Sequence, residues 1–224
     1  MLELFCFETP LSLRQAHIHR IFIIIKKRFV MAATRSTMLE LGTKAPPIQL
    51  PIVTGGDFDL YCYTQHSKGI VVLFICNHCP YVHHINETLV SVANTYINKG
   101  IPFIAISSND ATKYPEDSPE KMIDVVRKQR YPFPYLYDES QAIAKAYRAA
   151  CTPDFYFFDK QLSLYYRGQF DSSRPGNEIE VTGRDLTTAI DGYLNQEKAP
   201  EIQVPSIGCS IKWKAGNEPE YFLY

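Results

Sequence analysis

The chain of 224 residues lacks a strong net charge, a long apolar run and a dense set of cysteines. Its net charge of −1 combines +4 on residues 1–37 (six Lys/Arg, two Asp/Glu) with −5 on residues 38–224. A mildly acidic body argues against nucleic acid as a partner. No apolar run approaches the roughly 20 residues that span a bilayer, which argues against a membrane partner. Six cysteines are too few for a secreted disulfide scaffold of this length, so we expect a reducing compartment, the cytoplasm.

Residues 1–37 differ from the rest of the chain. Their apolar patch, Ile21 to Ile25, is only five residues long and is flanked by basic residues on both sides. A secretory signal needs a longer apolar stretch followed by small residues. Met31 and Met38 stand just before the globular sequence. We interpret residues 1–37 as a basic extension or as the product of a start site assigned too early; a basic surface-binding segment is the alternative.

Beyond residue 38 the apolar periodicity alternates between that of strands and that of helices. The first predicted elements are a hairpin of Ile48–Val53 and Phe58–Tyr63, a buried strand over Gly69–Ile75, and a helix with the apolar stripe Val82 to Tyr96. A strand over Ile101–Ser107, a helix from Pro119 to about Arg130 and a strand over Pro134–Tyr137 follow. The last are a helix from a capping box at Asp138–Gln141 to Tyr147, a hairpin of Asp154–Phe158 and Leu162–Arg167, and a helix over Leu186–Leu194. This order predicts an α/β domain over residues 38–196, with a central mixed sheet and helices on both faces. Residues 197–224 form a tail on or near that domain.

Cys76 and Cys79 are the only closely spaced cysteines. They lie between the end of a buried strand and the start of an amphipathic helix, where unpaired N–H groups favour a negative charge. C-x-x-C thiols in such positions have lowered pKa values, and the thiolate is the attacking species in disulfide exchange. The pattern predicts a reversible dithiol–disulfide couple that needs no cofactor. Its partners would be a small-molecule or protein disulfide and an external thiol reductant.

Two other interpretations of the pair remain open. Cys76, Cys79 and one of the nearby histidines, His78, His83 or His84, would suit zinc or copper, although no second C-x-x-C completes a set of four ligands. The pair would otherwise be inert core, since free cysteine is often simply buried. The Asn-His between the cysteines and the proline after them argue against an apolar setting.

Three separated segments resemble one known group. The segment Cys76-Asn-His-Cys-Pro-Tyr-Val82 resembles the active site of the thioredoxin superfamily and, more narrowly, of its peroxiredoxin-like branch (AhpC/TSA-related, redoxin). Cys151–Asp159 and Pro205–Trp213 resemble two later segments of that branch. The resemblance covers about residues 41–222 and implies a thioredoxin-like fold. It also implies that Pro153 follows a cis peptide bond and that Thr152 presents its backbone to a bound substrate or mixed disulfide.

The chain departs from the peroxiredoxin pattern at two positions. If Cys79 is aligned with the peroxidatic cysteine, the usual threonine is replaced by Cys76 and the usual arginine by Pro153. Arg148 or Arg167 would then have to polarise a peroxide. The resemblance is therefore more specific for fold than for reaction.

We predict a thiol–disulfide oxidoreductase, or antioxidant redoxin, in which Cys76 attacks and Cys79 resolves the mixed disulfide. The preceding strand lacks the buried acid of thioredoxins, so His78 is the nearest candidate base. Cys151 and Cys209 are candidate auxiliary thiols: we expect Cys151 to pack, and Cys209 to resolve a mixed disulfide if the tail folds over the site. The alternatives are a thiol peroxidase with Cys79 as the peroxidatic residue, a copper- or zinc-binding protein, and a non-catalytic binding module.

Overall fold

The computed structural model describes residues 33–222. The strands are β1 (Ala33–Arg35), β2 (Gln49–Pro51), β3 (Asp57–Asp59), β4 (Gly69–Phe74), β5 (Phe103–Ser107), β6 (Tyr135–Tyr137), β7 (Cys151–Thr152), β8 (Asp154–Asp159), β9 (Leu164–Gly168) and β10 (Ile207–Ser210). The helices are α1 (Leu60–Thr64), α2 (Pro80–Asn98), α3 (Pro119–Gln129), α4 (Ala142–Ala146) and α5 (Arg184–Leu194), with 3₁₀ turns at Pro115–Asp117 and Glu220–Phe222. In this part of the chain no helix is long and apolar enough to cross a membrane.

The central sheet has five strands in the order β6-β5-β4-β8-β9. The first three run parallel, and β8 and β9 add antiparallel pairings. All six residues of β4 are buried, so both faces of the sheet are covered. Phe158 in β8 packs on Tyr147 beside α4, whereas its neighbour Phe157 packs on Tyr193 in α5. Because adjacent side chains of a strand point to opposite faces, these two helices lie on opposite sides, and the predicted thioredoxin-like mixed sheet is confirmed.

The predicted N-terminal hairpin is present but shorter than its apolar pattern indicates. β2 and β3 pair antiparallel, and the second strand ends at Asp59 rather than at Tyr63. The Asp59 carboxylate accepts a hydrogen bond from the Cys62 backbone N–H at 2.9 Å, which caps α1. The extension of the strand to Tyr63 was wrong because this local cap outweighs the β-propensity of the aromatic residues that follow.

The start of α4 also differs from the predicted capping box. Gln141 occupies the N-cap position in a left-handed conformation and makes no side-chain cap. The free N–H groups of the first turn are met instead by Asp138, which accepts from Ala144 at 2.9 Å, and by Ser140, which accepts from Ala142 at 3.2 Å. The helix therefore starts later than predicted, while the two side chains upstream of Gln141 still cap it.

A second, antiparallel sheet has the order β1-β10-β7. It places the tail strand β10 between β1 and β7, with Cys209 opposite Thr152 and Gly208 opposite Thr34. Ala33–Arg35 were assigned to the extension by the sequence analysis, but they pair with β10. Residues 1–32 lie outside the described residues, so the interpretation of the extension stays a prediction.

Candidate active site

The fully buried strand β4 leads directly into the cysteine pair. β4 ends at Phe74 and α2 begins at Pro80, which leaves Cys79 as the N-cap residue of α2. Pro80 suits the first helical position because its missing N–H would be unpaired there anyway. Cys76 and Cys79 are 1% and 0% exposed. The structure thus places the pair at the strand–helix junction that the sequence predicts, with both side chains buried.

Thr152 contacts both sulfurs of the pair. The Thr152–Pro153 peptide bond is cis, as the family resemblance implies. The Thr152 hydroxyl lies 3.5 Å from Cys76 Sγ, and its carbonyl oxygen accepts from the protonated Cys79 thiol at 3.1 Å. Thr152 is therefore in the position from which it would orient a sulfur bound to either cysteine.

Cys209 brings a third sulfur to the site. Its Sγ lies 2.9 Å from Cys79 Sγ, and its side chain is buried. The pairing of β10 with β7 holds Cys209 there, since it stands opposite Thr152 in the ladder. The tail therefore folds over the site, which is the condition under which we expect Cys209 to resolve a mixed disulfide.

The surroundings of Cys79 favour its thiolate. Burial by itself raises the pKa of the Cys79 thiol, but four contacts outweigh burial and lower the pKa below the ordinary value for cysteine. These contacts are the thiols of Cys209 and Cys76, the Thr152 side chain and the backbone N–H of Val82. The N–H group belongs to the first turn of α2, where a negative charge is stabilised. Of the two sulfurs, Cys79 is therefore the one whose thiolate these contacts favour, and in its protonated form it donates to the Thr152 carbonyl oxygen.

The other two sulfurs of the site keep their protons. Contact with Cys79, burial and the charge of Asp117 raise the pKa of the Cys76 thiol. Contact with Cys79 and burial raise the pKa of Cys209. These directions of the pKa favour a thiolate on Cys79 rather than on Cys76, while the order of attack predicted from the sequence, with Cys76 first, stays a prediction.

A buried carboxylate organises the loop between the two cysteines. Asp117 is fully buried and accepts hydrogen bonds from the Asn77 backbone N–H at 2.7 Å and from the Asn109 side chain at 2.8 Å. Its second oxygen lies 2.6 Å from His78 Nδ1. Contact with Asp117 raises the pKa of His78, whose ring stacks on Tyr114 at 5.3 Å. Asp117 thus holds the His78 ring near Cys76, with a ligand atom of each of the three residues within 4.8 Å of the others.

The sequence analysis missed Asp117. This residue belongs to the 3₁₀ turn before α3 and directly precedes Ser118, which caps that helix. No local pattern distinguishes it from an ordinary acidic residue near a helix start, and its contact with the Asn77 N–H joins residues 40 positions apart. It supplies a buried acid next to the cysteine pair although β4 contains none.

Three possible metal donors lie close together in the site. One ligand atom each from Cys76, His78 and Asp117 falls within 4.8 Å of the others, and Cys79 is not a member of this group. Such a mixed sulfur, nitrogen and oxygen set would suit zinc or copper. Both Asp117 oxygens already have close polar partners, so the carboxylate better fits the role of an anchor for the loop.

His83 and His84 do not join these donors. The His83 ring bonds to the backbone carbonyl of Asn77, and the His84 ring bonds to the Ser173 hydroxyl at 2.6 Å. Their proximity to the pair in sequence reflects the start of α2, whose turns direct the two rings to other partners. Of the three histidines proposed as ligands, only His78 lies among the grouped donors.

The two arginines proposed to polarise a peroxide are engaged elsewhere. Arg167 is fully buried and its guanidinium donates to Asp154 at 3.2 Å. The Arg148 guanidinium lies over the Tyr221 ring, 5.0 Å from its centroid. Within residues 33–222, neither guanidinium donates a hydrogen bond to Cys79. The suggestion that Arg148 or Arg167 polarises a peroxide in place of the usual arginine is therefore not supported.

Cys151 is buried in β7, and its sulfur lies near two backbone oxygens. Its Sγ is 3.8 Å from the Pro153 carbonyl oxygen and 3.9 Å from that of Ser206. Burial raises its pKa, so it holds its proton. These contacts favour packing, the role expected for Cys151.

The chain is similar in sequence and in structure to known proteins. The model of the AhpC/TSA family matches residues 41–167. An uncharacterised conserved protein from Geobacillus kaustophilus is similar at 54% identity and a TM-score of 0.79, over 82% of this chain and 97% of that one. A hypothetical protein from Sinorhizobium meliloti 1021 is similar at 46% identity and a TM-score of 0.80, over 82% of this chain and all of that one.

A more distant structure supports the fold alone. The thioredoxin domain of a thiol-disulfide oxidoreductase from Bacteroides vulgatus has 16% identity and a TM-score of 0.55, over 70% of this chain and all of that domain. Among curated proteins, none matches this chain.

Proposed function

Because the chain belongs to the AhpC/TSA family and is an oxidoreductase of thiols, disulfides or peroxides, we propose that it is a thiol–disulfide oxidoreductase that works through Cys76 and Cys79. The observation that carries the proposal is the setting of Cys79. Cys79 is the N-cap residue of α2, and its sulfur contacts two other thiols and has a lowered pKa. An ionised sulfur with a second thiol three residues before it can both attack and be resolved.

The proposed reaction has two exchange steps. The Cys79 thiolate attacks a substrate disulfide, forms a mixed disulfide and releases the first substrate thiolate, which takes up a proton. Cys76 then loses its proton and attacks the Cys79 sulfur. The second substrate thiol leaves, and a Cys76–Cys79 disulfide remains. An external thiol must reduce this disulfide, as the reducing cytoplasm proposed for the protein would allow.

His78 and Thr152 have supporting roles in this proposal. Asp117 holds the His78 ring near the pair and raises its pKa, which makes the neutral ring a stronger base, so neutral His78 would accept the proton that Cys76 must lose. The hydroxyl and carbonyl of Thr152 lie beside the two sulfurs and would orient the mixed disulfide. The substrate is a small-molecule or protein disulfide.

Single-turnover reduction of oxidised glutathione tests this assignment. Wild type should release two glutathione thiols for each chain, and Cys79→Ser should release none. Cys62→Ser removes an exposed thiol outside the site and should behave like wild type. If Cys79→Ser instead retains one bound glutathione and Cys76→Ser is inert, the attacking residue is Cys76. If both variants keep full turnover, the proposed function is wrong.

Peroxide reduction is the second candidate, because the same Cys79 thiolate would attack a peroxide. That reaction would give a sulfenic acid on Cys79 and release water or an alcohol. The absence of an arginine contact with Cys79 in residues 33–222 disfavours it. Rapid formation of sulfenic acid at Cys79 with one equivalent of hydrogen peroxide would make peroxide the preferred substrate.

A further inference from the structure

The strand β10 occupies the edge at which a substrate segment would meet Thr152. In the ladder with β7, Cys209 is opposite Thr152 and Ser210 is opposite Cys151. A cysteine of this chain thus takes the place, beside Cys79, that the cysteine of an incoming disulfide would need. The contact is an internal one between residues 130 positions apart.

Gly208 allows this close approach. A Cβ atom at this position would lie 1.9 Å from the Thr152 carbonyl oxygen and 2.6 Å from its carbonyl carbon. Both contacts are to backbone, which cannot rotate away. Only a residue without a side chain brings β10 so close to the cis peptide bond, and Cys209 follows it directly.

The segments on either side of Cys209 are anchored to the domain. The Ser206 hydroxyl donates to the Gly168 carbonyl oxygen at 2.7 Å, and the Ile211 backbone N–H donates to Ala150 at 3.0 Å. Cys209 itself is 1% exposed. The sulfur is therefore held against Cys79 by an ordered strand.

The distance between the two sulfurs favours bond formation. A disulfide has a sulfur–sulfur distance of about 2.05 Å, so Cys79 Sγ and Cys209 Sγ, now 2.9 Å apart, need to approach by roughly 0.9 Å. A change of this size is within the reach of small side-chain rotations. No movement of β10 away from β7 is required.

We propose that Cys209 is a third redox-active thiol, which forms a disulfide with Cys79 and thereby fastens β10 over the active site. The proposal rests on the proposed attack by Cys79. After Cys79 has formed a mixed disulfide with substrate, Cys209 loses its proton and attacks the Cys79 sulfur. The substrate sulfur leaves and takes up the proton, so two protein thiols are oxidised while one substrate disulfide becomes two thiols.

The same bond also arises by internal exchange. In the Cys76–Cys79 disulfide, attack by Cys209 on the Cys79 sulfur breaks the existing bond, forms Cys79–Cys209 and returns a protonated thiol to Cys76. No electrons are gained or lost in this step. The oxidised enzyme therefore has two forms: in one β10 is free to separate, and in the other it is covalently held.

The test uses the full chain with Cys76→Ser, so that Cys209 is the only candidate resolving thiol in contact with Cys79. One equivalent of oxidised glutathione is added, free thiols are alkylated, and disulfides are mapped by mass spectrometry. We expect two glutathione thiols released and a Cys79–Cys209 linkage. Cys76→Ser/Cys209→Ser should release only one glutathione thiol and keep the other glutathione bound to Cys79. Cys76→Ser/Cys62→Ser is the matched control and should repeat the result of Cys76→Ser.

The outcomes separate this proposal from the proposed function. If Cys76→Ser keeps glutathione on Cys79 and leaves Cys209 alkylatable, the role of Cys209 is refuted while attack by Cys79 stands. If Cys76→Ser releases no glutathione thiol and both Cys79 and Cys209 stay alkylatable, attack by Cys79 is refuted and this proposal fails with it.

Discussion

Replacing Gly208 by alanine tests how tightly β10 must lie against β7. The added Cβ would stand 1.9 Å from the Thr152 carbonyl oxygen, and real Cβ atoms essentially never approach closer than 3.0 Å. The two strands must therefore separate by at least 3.0 − 1.9 = 1.1 Å at this point. Because Cys209 is the next residue, the same shift withdraws its sulfur from Cys79.

The cost of this shift sets the size of the effect. Forcing one extra carbon into a well-packed site costs about 1–3 kcal/mol. If that cost falls on the docked tail, the population with β10 detached rises by about 5- to 150-fold, since 1.4 kcal/mol corresponds to a factor of ten. The buried thiols of Cys79 and Cys209 become accessible to reagents only when the tail opens.

Alkylation of the reduced protein measures this opening. Gly208→Ala should react with iodoacetamide at Cys79 about 5- to 150-fold faster than wild type. Gly192→Ala, in helix α5, is the control, because its Cβ would meet the flexible end of the Glu197 side chain at 3.2 Å and the Tyr165 hydroxyl at 3.6 Å, without a backbone contact. Equal alkylation rates for Gly208→Ala and wild type, with unchanged thermal stability, would refute the inference that close packing of β10 shields Cys79.

Two further predictions concern pH and stability. Asp117 raises the pKa of His78 above its ordinary 6.5, so the stability gained from the charged pair is fully present below about pH 6.5 and is lost as pH rises through the raised value. The difference in melting temperature between wild type and His78→Ala should accordingly be larger near pH 6 than near pH 9, and an equal difference at both would contradict the contact. Arg167→Leu should lower the free energy of unfolding in urea by about 3–5 kcal/mol, because it leaves the buried Asp154 carboxylate without its partner. Arg167→Leu/Asp154→Leu should lose less, and an equal or greater loss would show that packing dominates.

The sequence was most informative where structure is decided locally. The apolar run over β4 and the stripe along α2 fix both elements and place Cys76 and Cys79 between them. The hairpin of β8 and β9 likewise follows from apolar segments around a short turn. At α1 the same approach failed, because a single cap by Asp59 changes a strand into a helix.

The remainder of the site depends on contacts between distant residues, which periodicity does not encode. Asp117 reaches the cysteine loop from a separate turn, and Cys209 reaches Cys79 from the tail. The contacts that favour a thiolate on Cys79 include Cys209, a distant neighbour that the local pattern does not include. Arg167 was considered for a peroxide site, but its buried partner Asp154 in β8 holds it elsewhere.

The position of β1 gives the choice of translation start a structural meaning. Met31 precedes this strand and Met38 follows it. A polypeptide initiated at Met38 would keep every sulfur of the site but would leave the outer edge of β10 without its neighbour. Bare strand edges recruit foreign strands. A chain that begins at Met38 would therefore be expected to self-associate more readily than one that begins at Met31.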